Sequence, residues 1–145
     1  MNDRLIGIGV FVVYILNLVM ISAKSPTLPF YSIAVAFIGL VISFTGIVIW
    51  ILGFIALKDS FAIAPKAKTL VKRGIYEHLR HPIYNGIVLT FFGLGLAKGS
   101  VISLFFTVFV LYPFLKYRSH LEEKTLLKSF GEEYQHYLNN TSSLT

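Results

Sequence analysis

The chain contains no cysteine, and this absence removes several kinds of chemistry at once. Disulfide bonds, thiolate nucleophiles and the cysteine ligands of zinc or iron–sulfur centres are all excluded. Histidine does not replace them, because no His-x-x-x-His or histidine–carboxylate spacing in the chain suggests a metal site. We therefore expect no metal centre.

Charged residues are also scarce, at 14% of the chain against 55% hydrophobic residues. The mean hydropathy of +0.71 is unlike that of a soluble globular protein. Asp, Glu, Lys, Arg and His are missing from four segments, residues 5–23, 31–57, 83–97 and 101–115. A helix rises about 1.5 Å per residue and a bilayer core is about 30 Å thick, so about 20 residues span it. The first two segments have that length, whereas the last two reach it only with their flanks.

This pattern predicts an all-α integral membrane protein with about four transmembrane helices and a cytoplasmic amphipathic C-terminal helix. Residues 1–145 are expected to form a single membrane domain. Its predicted parts are two N-terminal transmembrane helices (1–57), a cytoplasmic linker (58–81), a helical hairpin (82–115) and a cytoplasmic tail (116–145).

The basic residues give the predicted orientation. The net charge of +6 is compatible with nucleic-acid binding, but the positions of the charges argue against it. Only Lys24 and Lys98 fall in the short loops after the first and third segments, and the other basic residues lie near the N-terminus, in the linker or in the tail. The positive-inside rule then places both termini and the linker in the cytoplasm. Small size and the lack of an organelle signal favour a prokaryotic plasma membrane.

Two features of the first two segments predict helix packing. Asn17 is the strongly polar residue of the first segment, and an isolated Asn in such a helix is typical of an interhelical hydrogen bond. Gly39, Ser43 and Gly46 recur at spacings of four and three, which makes a small-residue face for close helix contact.

Chemically capable side chains concentrate at residues 74–86. Pro82 has no N–H and a preset φ, so it suits the first turn of a helix. Arg80 and His81 then lie at a helix N-terminus, where unpaired backbone N–H groups favour anions. Tyr84 falls in the first turn, and Gly86 permits the close approach of another chain or of a ligand.

A second polar cluster, residues 120–123, follows the hydrophobic hairpin. A tight hairpin returns this cluster to the side of the membrane where the first one lies, so Arg80 and His81 are expected to meet Glu122 and Glu123. On the pattern alone, a helix-end salt bridge with snorkelling basic residues explains the two clusters equally well.

Taken together, the clusters resemble the signature of the isoprenylcysteine carboxyl methyltransferase family. The matching residues are Gly74-x-Tyr76-x-x-x-Arg80-His81-Pro82-x-Tyr84-x-Gly86 and Glu122-Glu123-x-x-Leu126-x-x-x-Phe130-Gly131-x-x-Tyr134-x-x-Tyr137. That family belongs to a wider group of integral-membrane methyltransferases that includes phospholipid N-methyltransferases. The resemblance covers residues 65–137, and the segment after Tyr137 departs from the family pattern because it has neither Arg nor Pro.

The resemblance implies an S-adenosylmethionine-dependent methyltransferase that works at the cytoplasmic membrane face on a lipophilic acceptor. The acceptor would be a small lipophilic molecule or a prenylated substrate, such as the carboxylate of an isoprenylated cysteine. It implies Arg80 and Glu122 as catalytic residues, and as cofactor contacts Tyr76, Arg80, His81, Tyr84, Gly86, Glu122 and Glu123. Aromatic faces suit the cofactor's sulfonium, a helix N-terminus with Arg and His suits its carboxylate, and glutamates accept from its amino and hydroxyl groups.

Two other function classes remain open from the sequence. Sterol reductases resemble this family in the membrane core and the C-terminal region, but the chain is small for one and lacks an evident basic pocket for an extra phosphate. A small membrane transporter or scaffold is the other alternative. Proton-coupled export commonly needs an acidic residue inside the membrane, and the four apolar segments contain none.

Overall fold

A computed structural model describes residues 3–57 and 70–142 of the chain. This part is helical and without strands, so the predicted all-α class is confirmed for it. We number its α-helices in chain order: α1 (Asp3–Ser22), α2 (Ile33–Leu57), α3 (Pro82–Lys98), α4 (Val101–Phe130) and α5 (Glu132–Asn140). A short 3-10 helix, Gly74–Glu77, precedes α3. Half of the predicted linker, residues 58–69, lies outside the described residues.

Two of these helices are long and apolar enough to cross a membrane. They are α2, with 25 residues and a mean hydropathy of 2.6, and α4, with 30 residues and a mean hydropathy of 1.4. Their apolar side chains point largely outward: Phe44 on α2 is 68% exposed and Phe109 on α4 is 62% exposed. Such surfaces suit contact with lipid tails rather than water. In α1 a shorter apolar stretch, Phe11–Ser22, is present. The count of four crossing helices and the amphipathic tail helix stay predictions.

The predicted small-residue face of α2 is confirmed, and it packs against α3. Gly39, Ser43 and Gly46 are all buried. A methyl group on Gly39 would lie 2.4 Å from the backbone nitrogen of Ala97, and one on Gly46 would lie 2.5 Å from that of Thr90. No real Cβ contact is that short, so the two helix backbones touch directly along several turns.

The predicted interhelical role of Asn17 is also confirmed. Its Nδ2 donates to Thr107 Oγ1 at 3.1 Å and joins α1 to α4, and the Asn17 side chain is fully buried. Thr107 begins a π-helical turn, Thr107–Leu111, in which the N–H of Tyr112 donates to the carbonyl of Thr107. This irregular turn lies just before Pro113, which has no N–H to donate within the helix.

α3 and α4 are joined by a tight return, as the glycines there predict. Gly99 ends α3 with a φ of 68°, a left-handed conformation that glycine adopts without strain. Tyr31 covers this turn, and its hydroxyl donates to the carbonyl of Ala97 at 2.8 Å.

α4 then runs past residue 115 without a break, so one helix includes both the last apolar segment and the first part of the predicted tail. It ends at Phe130, and Gly131 with a φ of 52° separates it from α5. The long helix carries residues 118–123 to the same end of the molecule as the start of α3.

Candidate active site

The start of α3 is set by Pro82, as predicted. Pro82 occupies the first turn and needs no hydrogen-bond partner for its nitrogen, and His81 is the N-cap residue. Both residues are buried. Gly53 of α2 leaves room for this tight packing, because a methyl group there would lie 2.9 Å from the Ile83 side chain. The functional end of α3 is thereby held against α2.

Tyr84, in the first turn of α3, joins a hydrogen-bonded cluster on α4. Its hydroxyl donates to Glu122 Oε1 at 2.5 Å and accepts from Arg118 Nε at 2.6 Å. Arg118 Nε also lies 3.1 Å from Glu122 Oε1, across one turn of the helix. Each of the three groups thus fixes the other two, with charge-assisted bonds.

His81 contacts the next residue of α4. Its Nε2 lies 3.1 Å from Glu123 Oε1, and a carboxylate only accepts, so this contact requires a proton on Nε2. The His81 ring stacks on Tyr84 with centroids 5.7 Å apart and planes 18° apart. Glu123 also lies 3.7 Å from Arg80 Nη1. The predicted meeting of the two polar clusters is confirmed.

Arg80 has a further set of partners that the sequence did not suggest. Its Nη2 donates to the carbonyl of Leu138 at 2.6 Å and to that of Thr141 at 2.9 Å, and its Nε donates to the Thr141 carbonyl at 3.1 Å. These are carbonyls at the C-terminal end of α5, which lack helical partners and carry partial negative charge. The guanidinium of Arg80 therefore holds the end of α5 against the start of α3.

Other bonds reinforce the docking of α5. The Tyr137 hydroxyl donates to the carbonyl of Tyr76 at 2.7 Å, and the Ser142 N–H donates to the carbonyl of His78 at 3.1 Å. Ser142 in turn accepts from the N–H of Arg80 at 3.1 Å. Burial raises the pKa of Tyr137 to about 12 and raises that of Tyr76 further, so both phenols stay protonated at physiological pH.

A cavity of about 410 Å³ lies between the end of α2, residues 76–84 and the α4 residues 118–126. Its volume falls in the range of about 300–1,000 Å³ that small-molecule sites occupy. One part of the lining is polar: Tyr76, Arg80, His81, Tyr84, Arg118 and Glu122. The other part is apolar: Phe54, Leu57, Ile83 and Leu126. Such a cavity suits a ligand, or a pair of ligands, with both charged and hydrophobic parts.

Comparison with known proteins places this arrangement in a family. A family model described as phospholipid methyltransferase matches residues 29–133, which is most of the chain and includes the cavity. The chain belongs to the phospholipid methyltransferase family. The matched region contains both polar clusters, so the polar wall of the cavity lies within the part of the chain that matches the family model.

Individual relatives of this family member are named methyltransferases. Protein-S-isoprenylcysteine O-methyltransferase of Saccharomyces cerevisiae is 40% identical over 70 residues, which cover 48% of the chain and 29% of the relative. Its namesake from Schizosaccharomyces pombe is 35% identical over 72 residues, 50% of the chain and 30% of the relative. Methanethiol S-methyltransferase 1 of Bradyrhizobium diazoefficiens is 34% identical over 83 residues, 57% of the chain and 27% of the relative.

The predicted resemblance to isoprenylcysteine methyltransferases is confirmed by these matches. The chain aligns with less than a third of the length of each of these relatives. Family membership and the exposed apolar helices together support an integral membrane protein.

Two predicted site residues of this phospholipid methyltransferase family member lie outside the cavity lining. Gly86 faces α2, where a methyl group would lie 2.6 Å from the backbone nitrogen of Trp50 and 2.6 Å from the carbonyl oxygen of Gly46. Its close approach is therefore to another helix, and we leave it out of the cofactor site. Glu123 does not line the cavity, but it contacts His81 and Arg80, which do.

Arg118 is the functional candidate that sequence reasoning missed. It lines the cavity and bonds to both Tyr84 and Glu122. The available signal was its position four residues before Glu122, since a basic and an acidic side chain at that spacing share one face of a helix. Arg118 lies two residues before the predicted polar cluster, residues 120–123.

Proposed function

We propose that this chain is an S-adenosylmethionine-dependent methyltransferase that acts on a lipophilic acceptor at the cytoplasmic membrane face. The observation that carries the proposal is the cavity beside α3, with one polar wall and one apolar wall. The polar wall contains the residues by which the chain resembles membrane methyltransferases. Relatives named for O-methyl and S-methyl transfer support the reaction class.

The polar wall suits the cofactor by charge and by shape. Tyr76 and Tyr84 offer aromatic faces to a sulfonium cation, and Glu122 offers a carboxylate to an amino or hydroxyl group. When bound, the cofactor supplies an electrophilic methyl group. His81 stacks on Tyr84 and bonds to Glu123. We therefore propose that His81 and Glu123 are positioning residues, which hold Tyr84 and the polar wall in place.

Arg80 takes a different role from the one its motif implies. Because its Nε and Nη2 bind the end of α5, its main task is to hold α5 against the start of α3 rather than to touch the reacting atoms. We therefore propose Arg80 as a positioning residue and Glu122 as the direct cofactor contact. The role of Glu122 is tested by the binding experiment below, and that of Arg80 by hydrogen exchange in Arg80→Ala.

The apolar wall suits the acceptor. Phe54 and Leu57 belong to the end of α2, whose neighbouring side chains are exposed on the outer surface. An acceptor with a hydrocarbon tail can enter there from the bilayer and bury the tail against them. Exclusion of water from such a cavity favours transfer to a charged oxygen or sulfur, which needs alignment more than acid or base help.

The proposed membrane arrangement follows the charge pattern. α1, α2, α3 and the apolar part of α4 cross the bilayer, both termini are cytoplasmic, and α5 lies on the cytoplasmic surface. Neither a transporter nor a reductase is favoured, because the family model and the relatives are methyltransferases.

Calorimetric titration of S-adenosylhomocysteine into the purified protein in lipid nanodiscs tests the proposal. We expect saturable micromolar binding, reduced about 10- to 100-fold in Glu122→Gln because a charge-assisted hydrogen bond is lost. Glu132→Gln is the matched control, since Glu132 is exposed on α5 and outside the cavity. Absence of binding by the wild-type protein, or equal affinities in both variants, would contradict the assignment.

A further inference from the structure

A second cavity, of about 310 Å³, lies at the opposite end of α3 from the candidate active site. It is lined by the loop after α1 and by the turn between α3 and α4, and we call it the loop cavity. α3 has 17 residues, so its two ends are about 25 Å apart. Six residues with polar side chains line the loop cavity: Ser22, Lys24, Ser25, Thr27, Lys98 and Ser100.

Backbone hydrogen bonds between the loop and the turn hold the loop cavity in shape. The N–H of Leu28 donates to the carbonyl of Gly99 at 2.9 Å. The N–H of Val101 donates to the carbonyl of Pro26 at 3.2 Å. Because these bonds cross from one connection to the other, the backbone that carries the lining residues needs little further ordering when a ligand binds.

Lys24 and Lys98 are the charged residues of the loop cavity, one from each connection. Within residues 3–57 and 70–142, neither lysine makes a hydrogen bond or an ion pair. The sequence has no Asp or Glu between residues 4 and 58 or between residues 78 and 121, so the adjoining helices supply no counter-charge. Two uncompensated positive charges at one cavity favour an anion between them.

The buried side chain of Ser100 adds a hydrogen-bond donor. It is 2% exposed, and its oxygen accepts from the N–H of Ser103 at 3.2 Å as the cap of α4. Its O–H has no acceptor in the part of the chain that the structure describes. The N–H groups at the start of α4 are already bound, by Pro26, Ser25 and Ser100. The donors that remain for an anion are therefore hydroxyl groups and the two ammonium groups.

The surroundings of the loop cavity favour a lipid as the source of this anion. Val19 precedes the cavity on α1 and is 51% exposed, and Phe105 follows it on α4 and is 61% exposed. These side chains continue the apolar surfaces that suit lipid tails. A phosphate group between Lys24 and Lys98 would thus have its hydrocarbon chains beside α1 and α4, whereas free phosphate would use the polar lining alone.

We propose that the loop cavity binds the phosphate group of an anionic phospholipid between Lys24 and Lys98. Lysine suits a phosphate because its ammonium is a compact charge with three donors, and basic pockets between membrane helices bind anionic head groups. A zwitterionic lipid carries its own cation beside the phosphate, so the site should prefer a head group without one. The proposal does not depend on the methyltransferase activity.

Native mass spectrometry of the full chain in neutral detergent tests the proposal. The probes are dioleoylphosphatidylglycerol, dioleoylphosphatidylcholine and inorganic phosphate. The test variant combines Lys24→Gln with Lys98→Gln. The control combines Lys124→Gln with Lys128→Gln, which removes the same charge from exposed positions of α4 that line neither cavity. Circular dichroism establishes that each variant is folded.

Ser100→Asp is a second test variant. Aspartate caps a helix as serine does, so the start of α4 keeps its acceptor. The new carboxylate places a negative charge in the loop cavity, beside the two lysines, and competes with a phosphate for them. This variant therefore tests the location of the ligand without removing either lysine.

The wild-type protein is expected to bind phosphatidylglycerol about 10- to 30-fold more tightly than phosphatidylcholine, the difference that two lysines near a head group provide. The variant without Lys24 and Lys98 should lose this preference, and so should Ser100→Asp. The control should retain it. Inorganic phosphate at millimolar concentration should not displace the lipid, because it lacks the hydrocarbon chains.

Four results would overturn the inference. One is a wild-type protein that does not prefer phosphatidylglycerol. Another is an equal loss in the lysine variant and the control, which would make the preference an effect of net charge. The third is a preference that persists in the lysine variant or in Ser100→Asp, which would leave the lysines as side chains that only extend to the membrane surface. The last is displacement by inorganic phosphate, which would assign the cavity to the free anion.

Discussion

The docking of α5 by Arg80 can be broken with one substitution. Arg80→Ala removes the guanidinium that binds the carbonyls of Leu138 and Thr141. Hydrogen bonds from a charged donor contribute about 1.5–3 kcal/mol each, and the side chain is 22% exposed, so the lower figure applies. For two carbonyls this amounts to about 3 kcal/mol, or roughly a 100-fold increase in the opening of the α5 end.

Amide hydrogen exchange measures this opening directly. The N–H of Ser142 is protected by its bond to His78, and that bond forms only while the α5 end is docked. We expect its exchange to accelerate by about 100-fold in Arg80→Ala, and by less in Arg80→Lys, which keeps the charge but lacks the fork. Exchange in the middle of α2 should not change.

Lys72→Ala is the matched control. Lys72 also joins the segment before α3 to α5, through a 2.7 Å ion pair with Glu133, but the two side chains are 40% and 57% exposed. Exposed pairs contribute at most about 1 kcal/mol, so exchange at Ser142 should change less than about fivefold. Equal exchange in wild type and Arg80→Ala, or equal effects of the two variants, would refute the view that Arg80 holds α5 in place.

Two further predictions concern packing and pH. Gly46→Ala puts a methyl group 2.5 Å from the α3 backbone, so it should destabilise the protein by about 2–3 kcal/mol and lower the unfolding midpoint in detergent by about 5 °C or more. Gly9→Ala is the control and should change the midpoint little, because the nearest contact of its methyl group is at 3.4 Å. Equal midpoints in the two variants would contradict the packing. The pKa of Tyr137 is raised from 10.0 to about 12 by burial, so docking of α5 should be constant below pH 10 and weaken as the pH rises from 10 to about 12. Exchange at Ser142 followed against pH measures this, and the step should be smaller in Tyr137→Phe; the pKa values of Tyr76 and Tyr134 are also raised by burial, so part of it should remain.

The features that sequence predicted correctly all had a local physical cause. Pro82 begins α3 because a residue without an N–H fits the first turn, and Gly99 and Gly131 end helices because they adopt positive φ. The small-residue face of α2 could be predicted because residues spaced four and three apart lie on one side of a helix.

The meeting of the two polar clusters was predictable for a topological reason. A short return between two helices brings their far ends to the same side, so Tyr84 and Glu122 could be expected to approach although 38 residues separate them. The sequence did not reveal that α4 continues through residue 115. Hydropathy falls after residue 115 because the surroundings of the helix change there, but the helix itself continues to Phe130.

The partners of Arg80 had no signal in the sequence. They are backbone carbonyls at the end of α5, and every residue type carries a carbonyl, so side-chain patterns do not mark them. The neighbour of Gly86 could not be predicted either, because a glycine permits the close approach of a ligand or of a helix equally well. In this molecule the neighbour is α2.

The docking of α5 has a consequence for the order in which the protein is assembled during synthesis. Arg80 leaves the ribosome 58 residues before Leu138 and 61 before Thr141. At synthesis rates of about 5–20 residues per second, the delay is roughly 3–12 s. α2 and α3 can pair within that interval, because α3 ends at Lys98 and both helices are synthesised before Leu138. The contact between Arg80 and the end of α5 therefore forms after α2 and α3 have paired, and until then the guanidinium of Arg80 lacks its carbonyl partners.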